Sequence, residues 1–365
     1  MHRHSPQPNV LDAIRRDLAN SREWAGRAIV LAYAALAGAS VVTFTWLSDR
    51  ALHAFGLLAA AYPLMPLAWT PLLCVLLAWI TQRWLPGAAG SGIPQVMAAL
   101  HTSVPEHERH RLVSLRLAFA KIVLTAGGLL GGLAIGREGP SVQIAAGVMH
   151  HARRWMPQGG SVTPHGLLVA GGAAGIAAAF NAPLAGVMFA IEELTRRIEQ
   201  RSSGLVVAAI VLAGLVSVSV FGNATYFGVI HAPALPWSFA GPALLVTVGT
   251  GLLGGLFSRL LQASLVGTSH PILRWRARHP VMFAGACGLG VAVIGIVSGG
   301  ATFGSGYQTT RQLVEGHAQM PGLYVTLRLV ATWLAVWSGV PGGLFAPSLA
   351  IGAGLGNDIA VLTGA

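Results

Sequence analysis

Residues 28–47 read AIVLAYAALAGASVVTFTWL, a stretch without a single charge. About 20 apolar residues carry a helix across the hydrocarbon core of a bilayer. Comparable runs lie near 54–80, 204–222, 240–262, 281–299 and 323–340. Backbone polar groups have no water partners in lipid, so such spans must be helices that satisfy themselves. Shorter apolar pieces, 88–100 and 139–150, suit half-helices that enter and stop. The predicted fold class is therefore an all-α polytopic membrane protein. Composition agrees: 10% of the residues are charged, against roughly 25% in soluble domains. The 47 glycines let helices approach closely where no hydrophobic effect drives them together.

A net charge of +11 does not point to nucleic acid, because the basic residues are scattered at the ends of apolar runs. Arg15, Arg16 and Arg22 precede the first run; Arg153–Arg154, Arg196–Arg197 with Arg201, and Arg274, Arg276 and Arg278 follow others. That is the distribution the positive-inside rule produces, and it predicts a cytoplasmic N-terminus in a cell inner (plasma) membrane. Residues 1–25 form a cytoplasmic segment with no signal-peptide pattern; Asn9 to Trp24 suit a short amphipathic helix on the membrane surface. Cys74 and Cys287 sit in apolar segments and read as small buried hydrophobes. The thirteen histidines, such as His107, His110, His150 and His151, fall mostly in connecting segments without metal-ligand spacing, so no metal and no cofactor is expected.

One apolar stretch is interrupted by Gly-Arg-Glu-Gly-Pro-Ser at 136–141. A charged side chain at bilayer depth costs about 2.5–3.5 kcal/mol on insertion scales and usually faces a pathway or a partner. The glycines break one helix and Pro140 suits the first turn of the next. A titratable carboxylate at such a break is what an ion or proton pathway needs. The bland alternative is a structural Glu138 paired with Arg137 or Lys121.

The chain also repeats itself. Lys121-Ile-Val-Leu-Thr125, glycines, and Pro140-Ser141 recur 207 residues later as Arg328-Leu-Val-Ala-Thr332, glycines, and Pro347-Ser348. Gly90-Ser91-Gly92 recurs 214 residues later as Gly304-Ser305-Gly306. Two repeats are predicted, a first membrane repeat over 26–222 and a second, incomplete one over 223–365. Transporters built from repeats bind their substrates where broken helices from the two halves meet. Here the breaks lie near Glu138 and Phe345. Helix N-termini present free N–H groups and a positive dipole end, so the chemistry at these breaks favours a small anion, with Ser91 adding a hydroxyl. Ser91 also reads as a helix N-cap.

Three segments resemble the signature sequences of the CLC family of chloride channels and chloride/proton antiporters: GSGIP at 90–94, GREGP at 136–140 and GGLFAP at 342–347. FNAPLAG at 180–186 and IEE at 191–193 fall between them in order. The resemblance covers roughly residues 28–360 and looks like a bacterial, C-terminally truncated member. It implies CLC-type inverted repeats with partly spanning helices, normally a homodimer with one pore per subunit. It implies chloride as the bound substrate, held by Ser91, Gly92 and Ile93 and by the backbone amides of Leu344 and Phe345. It makes Glu138 a gate that occupies an anion site when ionised and swings away when protonated. It makes Glu193 the internal proton acceptor, whereas Glu192 reads as a solvated helix end. Serine at 91 resembles the chloride-selective pattern. Lys121 and Arg137 are expected to add favourable potential for an anion.

The implied function is chloride/proton exchange across a lipid bilayer. A passive chloride channel is the close alternative. An intramembrane serine hydrolase using Ser91 is a remote one, because it needs a general base and no histidine sits within an apolar run. The family's tyrosine donor lies beyond GGLFAP, in helices that would follow residue 365. The expectation is that the chain as given lacks part of its second repeat, dimerises poorly and holds a weak, hydrated anion site.

Overall fold

The computed structural model describes residues 21–101, 103–157, 162–194, 203–223, 226–227, 237–265, 270–316 and 322–364. The basic residues Arg15, Arg16, Arg196, Arg197 and Arg201, and most of the N-terminal amphipathic segment, lie outside them. Ser21 to Trp24 already belong to the first long helix. The described residues form fourteen α-helices and no sheet. Among the described residues, six helical stretches are long and apolar enough to cross a membrane: Ser21–Ala61, Arg109–Leu130, Gly204–Phe221, Trp237–Leu265, Pro280–Val297 and Phe345–Thr363.

Helix α1 (Ser21–Ala61) is 41 residues long, or about 60 Å at 1.5 Å per residue, so it tilts across the bilayer or extends past it. The chain turns at Pro63 and starts α2 (Pro66–Trp84) with a proline in its first turn. The apolar run 54–80 is therefore two elements, the end of α1 and most of α2. Proline punctuates the backbone there without changing the hydropathy. A short α3 (Ile93–Leu100) is followed by α4 (Leu115–Leu130), α5 (Glu138–His151) and α6 (Pro164–Ala179). Ser114 and Thr163 cap α4 and α6 through side-chain oxygens. His150 and His151, expected in a connection, form the last turn of α5, and His150 is buried.

Next come α7 (Pro183–Phe189), α8 (Ser203–Phe221), α9 (Ala240–Leu265), α10 (Pro271–Arg278), α11 (Pro280–Val297), α12 (Tyr307–Val314), α13 (Tyr324–Trp337) and α14 (Phe345–Thr363). Between α6 and α7, Asn181 adopts a left-handed conformation at φ 55°, a backbone shape that asparagine tolerates better than most residues.

Most of the clustered buried apolar side chains fall into two cores. One joins α1, α3, α5, α6 and α8. The other joins α2 and α4 with α11 and α13, and so unites segments from both predicted repeats. Helix α6 is buried along almost its whole length. It touches α5 through Gly171 and Gly175: a side chain at either would stand within 3 Å of α5 backbone atoms. Helix α6 has 16 residues and α13 has 14. At about 1.5 Å per residue neither spans a core of about 30 Å, so both begin or end inside the bundle.

Candidate anion site

Three glycine-rich segments converge at the middle of the bundle. Gly136 and Gly343 exchange two backbone hydrogen bonds, each 2.7 Å. The Gly342 N–H donates to the Gly90 carbonyl at 3.2 Å. These contacts bring 90–94, 136–140 and 342–347 together, as expected of a site where broken helices meet.

Each segment opens a helix. Gly92, at φ +111°, takes the N-cap position of α3, and its N–H donates to Gln95 Oε1 at 3.0 Å. Ser91 is therefore not the cap, contrary to the sequence reading; only glycine accepts that left-handed turn readily, and a side chain at 92 would also crowd the Gly139 carbonyl. The Ser91 hydroxyl instead lies against Gly139, in the first turn of α5. Helices α5 and α14 start without a side-chain cap. Pro140 and Pro347 stand third in each, so the three N–H groups from the N-cap to the second helical residue are left to serve another acceptor.

Glu138 supplies one such acceptor. It is fully buried. Its Oε2 accepts from the Arg137 N–H at 3.1 Å and the Ala346 N–H at 3.3 Å, and its Oε1 accepts from the Tyr226 hydroxyl at 2.8 Å. Ala346 lies in the first turn of α14, so the carboxylate occupies the place at the positive dipole end that suits an anion. Glu138 makes no ion pair among the described residues. Arg137 turns to Asp49 instead, at 2.5 Å between Nη1 and Oδ1. The structural Glu138–Arg137 or Glu138–Lys121 pair is thus not what the chain builds.

Lys121 is fully buried on α4 and donates to the carbonyls of Ala88 and Gly90, both at 2.7 Å. Arg328 on α13, also fully buried, donates to the carbonyls of Thr302 at 2.7 Å and Gly304 at 2.8 Å. The acceptors keep the 214-residue offset and the donors the 207-residue offset. The two cations pin corresponding loops in the two halves of the chain.

Residues 73–365 match the family model described as voltage gated chloride channel. The chain belongs to that family. Its fold is shared by solved structures of family proteins. A slow cyanobacterial Cl−/H+ antiporter is 24% identical, with a TM-score of 0.70, over 88% of this chain and 75% of that one. A CLC-type fluoride/proton antiporter is 22% identical, with a TM-score of 0.72, over 92% and 81%. A eukaryotic CLC transporter is 23% identical, with a TM-score of 0.67, over 92% and 60%.

Within this member of the chloride-channel family, Phe345 opens α14 half-exposed, its ring 5.3 Å from that of Phe180. Ile93 begins α3 and packs on the first core. Glu193 is not part of the junction. With Glu192 it lies exposed on a π-helical turn, Ala190–Leu194, that continues α7 and packs against α6. Leu194 of that turn converges with Val96 of α3 and Val142 of α5 on Gly172 of α6, and the three share one hydrophobic core.

Sequence reasoning missed Tyr226, Asp49 and Tyr307. Asp49 carried a signal, a lone acid near the end of a long apolar helix. Tyr307 carried another, since it follows Gly304-Ser305-Gly306 as Ile93 follows Gly90-Ser91-Gly92. Tyr226 carried none: it lies in a connection without periodicity.

Proposed function

We propose that the chain moves chloride across a membrane in exchange for protons, with Glu138 as gate. The observation that carries this reading is the Glu138 carboxylate seated on the Ala346 N–H, at the start of α14. Ionised, it holds the anion position; protonated, it loses the charge that favours a helix N-terminus and yields to chloride. Ser91, Ile93 and the amides of Leu344 and Phe345 line that position, while Gly92 supplies the turn that places Ser91. Lys121 and Arg137 add positive potential. The two repeats, 26–222 and 223–365, each contribute one broken helix to the gate, and the N-terminal segment faces the cytoplasm. A passive channel would use the same carboxylate. Exchange is favoured by Glu193, an accessible acid near the internal end of α7 from which water or a transient wire can reach Glu138.

The deciding experiment is chloride efflux from liposomes with simultaneous recording of pH. Exchange requires protons to move against the chloride flux; chloride flux with a flat pH trace means a channel. In the same assay Glu193→Gln should cut proton movement at least tenfold and spare chloride movement, whereas Glu192→Gln should change neither. Equal effects of the two substitutions would mark both as a solvated helix end.

Selectivity rests on Ser91. Ser91→Pro removes the hydroxyl and a backbone N–H together. Nitrate flux relative to chloride should rise several-fold in anion-replacement measurements. An unchanged ratio would take Ser91 out of the site.

A further inference from the structure

Tyr226 is the one side chain that donates a hydrogen bond to Glu138 among the described residues. It comes from the connection between α8 and α9, far along the chain from the glutamate. Its ring is wedged between Phe180, at 5.0 Å between centroids, and Tyr307, at 4.7 Å. Phe180 in turn packs on Phe345. The Tyr307 hydroxyl donates to the Tyr226 carbonyl at 2.6 Å and so fixes the backbone that carries the phenol. The Arg137 guanidinium lies 5.9 Å from the centroids of both tyrosine rings, a cation–π arrangement, while its far side is held by Asp49. Asp49 and Tyr307 also border a cavity of about 1090 Å³, so the outer face of this assembly meets open space and its inner face meets the gate.

We infer that Tyr226 is a latch on the gate: its hydroxyl holds the Glu138 carboxylate in the anion position, and Tyr307, Arg137 and Asp49 hold Tyr226 in place. The inference rests on the reading of Glu138 as gate and assigns that gate a regulator. The physical basis is a selective bond. A hydroxyl donated to an ionised carboxylate is charge-assisted and roughly twice as strong as one donated to a neutral acceptor. The latch therefore strengthens the seated, ionised gate more than the protonated one, and it opposes both protonation and release. The other charged or titratable groups near the gate act differently. Arg137, from the same turn, stands over the two tyrosine rings, Asp49 from α1 compensates it, and Tyr307 from α12 acts through Tyr226. Helix α14 contributes only the Ala346 N–H. Lys121 and Arg328 are committed to loop carbonyls.

The test is Tyr226→Phe, which keeps the ring and its packing and removes only the hydroxyl. Chloride binding to the purified chain is measured by titration calorimetry over a range of pH, and proton movement is followed in liposomes. Binding should strengthen as acid frees the anion position. In Tyr226→Phe that strengthening should appear at a pH higher by about one unit, a tenfold lower proton concentration, as expected for losing one charge-assisted hydrogen bond. Tyr307→Phe should shift the profile the same way by less. With Glu138→Gln already in place, Tyr226→Phe should add no shift, because the ionisable partner is gone. A profile of Tyr226→Phe that superimposes on the parent overturns the latch, as does an equal shift in the Glu138→Gln background. Proton movement that survives Glu138→Gln is a separate result: it removes the gate reading, and the latch with it.

Discussion

Glu138→Ala should leave a protein that passes chloride but moves no protons. The carboxylate is fully buried and takes three hydrogen bonds, two from backbone N–H groups and one from Tyr226. A methyl group neither carries a proton nor competes for the Ala346 N–H. Proton movement coupled to chloride should fall below detection, and chloride should bind more tightly because its intramolecular rival is gone. Tighter binding to the folded state raises stability by mass action. Chloride should thus raise the melting temperature of Glu138→Ala more than that of the parent, a readout that needs no transport. Chloride-driven proton movement persisting in Glu138→Ala would show that another group carries the proton. An identical chloride effect on melting in both proteins would show that the carboxylate does not hold the anion's place.

Lys121→Met should destabilise the fold more than any exposed substitution. The ammonium is buried without an ion-pair partner among the described residues and is satisfied by two carbonyls of the loop before α3. Lys121→Met leaves these two carbonyls unsatisfied, at about 1–3 kcal/mol each, offset in part because methionine no longer buries a charge. What remains is a large share of the roughly 5–15 kcal/mol that holds a typical fold together. It would also loosen the loop that presents Ser91. Thermal unfolding in detergent should show a melting temperature lowered by several degrees or more. Lys121→Arg should recover much of the loss, because Arg328 already makes the equivalent pair of bonds to Thr302 and Gly304. A Lys121→Met protein that melts like the parent would restrict Lys121 to an electrostatic role.

Much of the site was legible because its chemistry is local. Glycines that break a helix, a proline that opens one, and a carboxylate out of place in an apolar run can each be read from a few adjacent residues. The fold class followed for the same reason, since span length is a property of one segment. The basic pair Lys121 and Arg328 was legible as a repeat but not as a device, because its acceptors lie more than twenty residues away along the chain. The Arg137–Asp49 pair and the Tyr226–Glu138 bond join residues separated by 88 positions each, and no periodicity encodes such a distance. The run 54–80 was misread because hydropathy does not register the turn between Tyr62 and Pro66. Ser91 was misread as a cap because the string Gly-Ser-Gly does not say which residue turns left-handed.

The reciprocal bonds between Gly136 and Gly343 bear on how such a protein changes state. Many repeat-built transporters work by rocking one half against the other around a fixed site. In this chain the loop bearing Glu138 and the loop that opens α14 are stitched to each other by their backbones, and Gly90 is stitched to Gly342 beside them. Rocking about this point would tear buried N–H groups from their acceptors, each costing about 1–3 kcal/mol when left unsatisfied. Rotating one carboxylate about its own side-chain bonds disturbs none of those stitches. The architecture therefore sets a stationary backbone frame around Glu138, within which side chains can turn without disturbing the stitches.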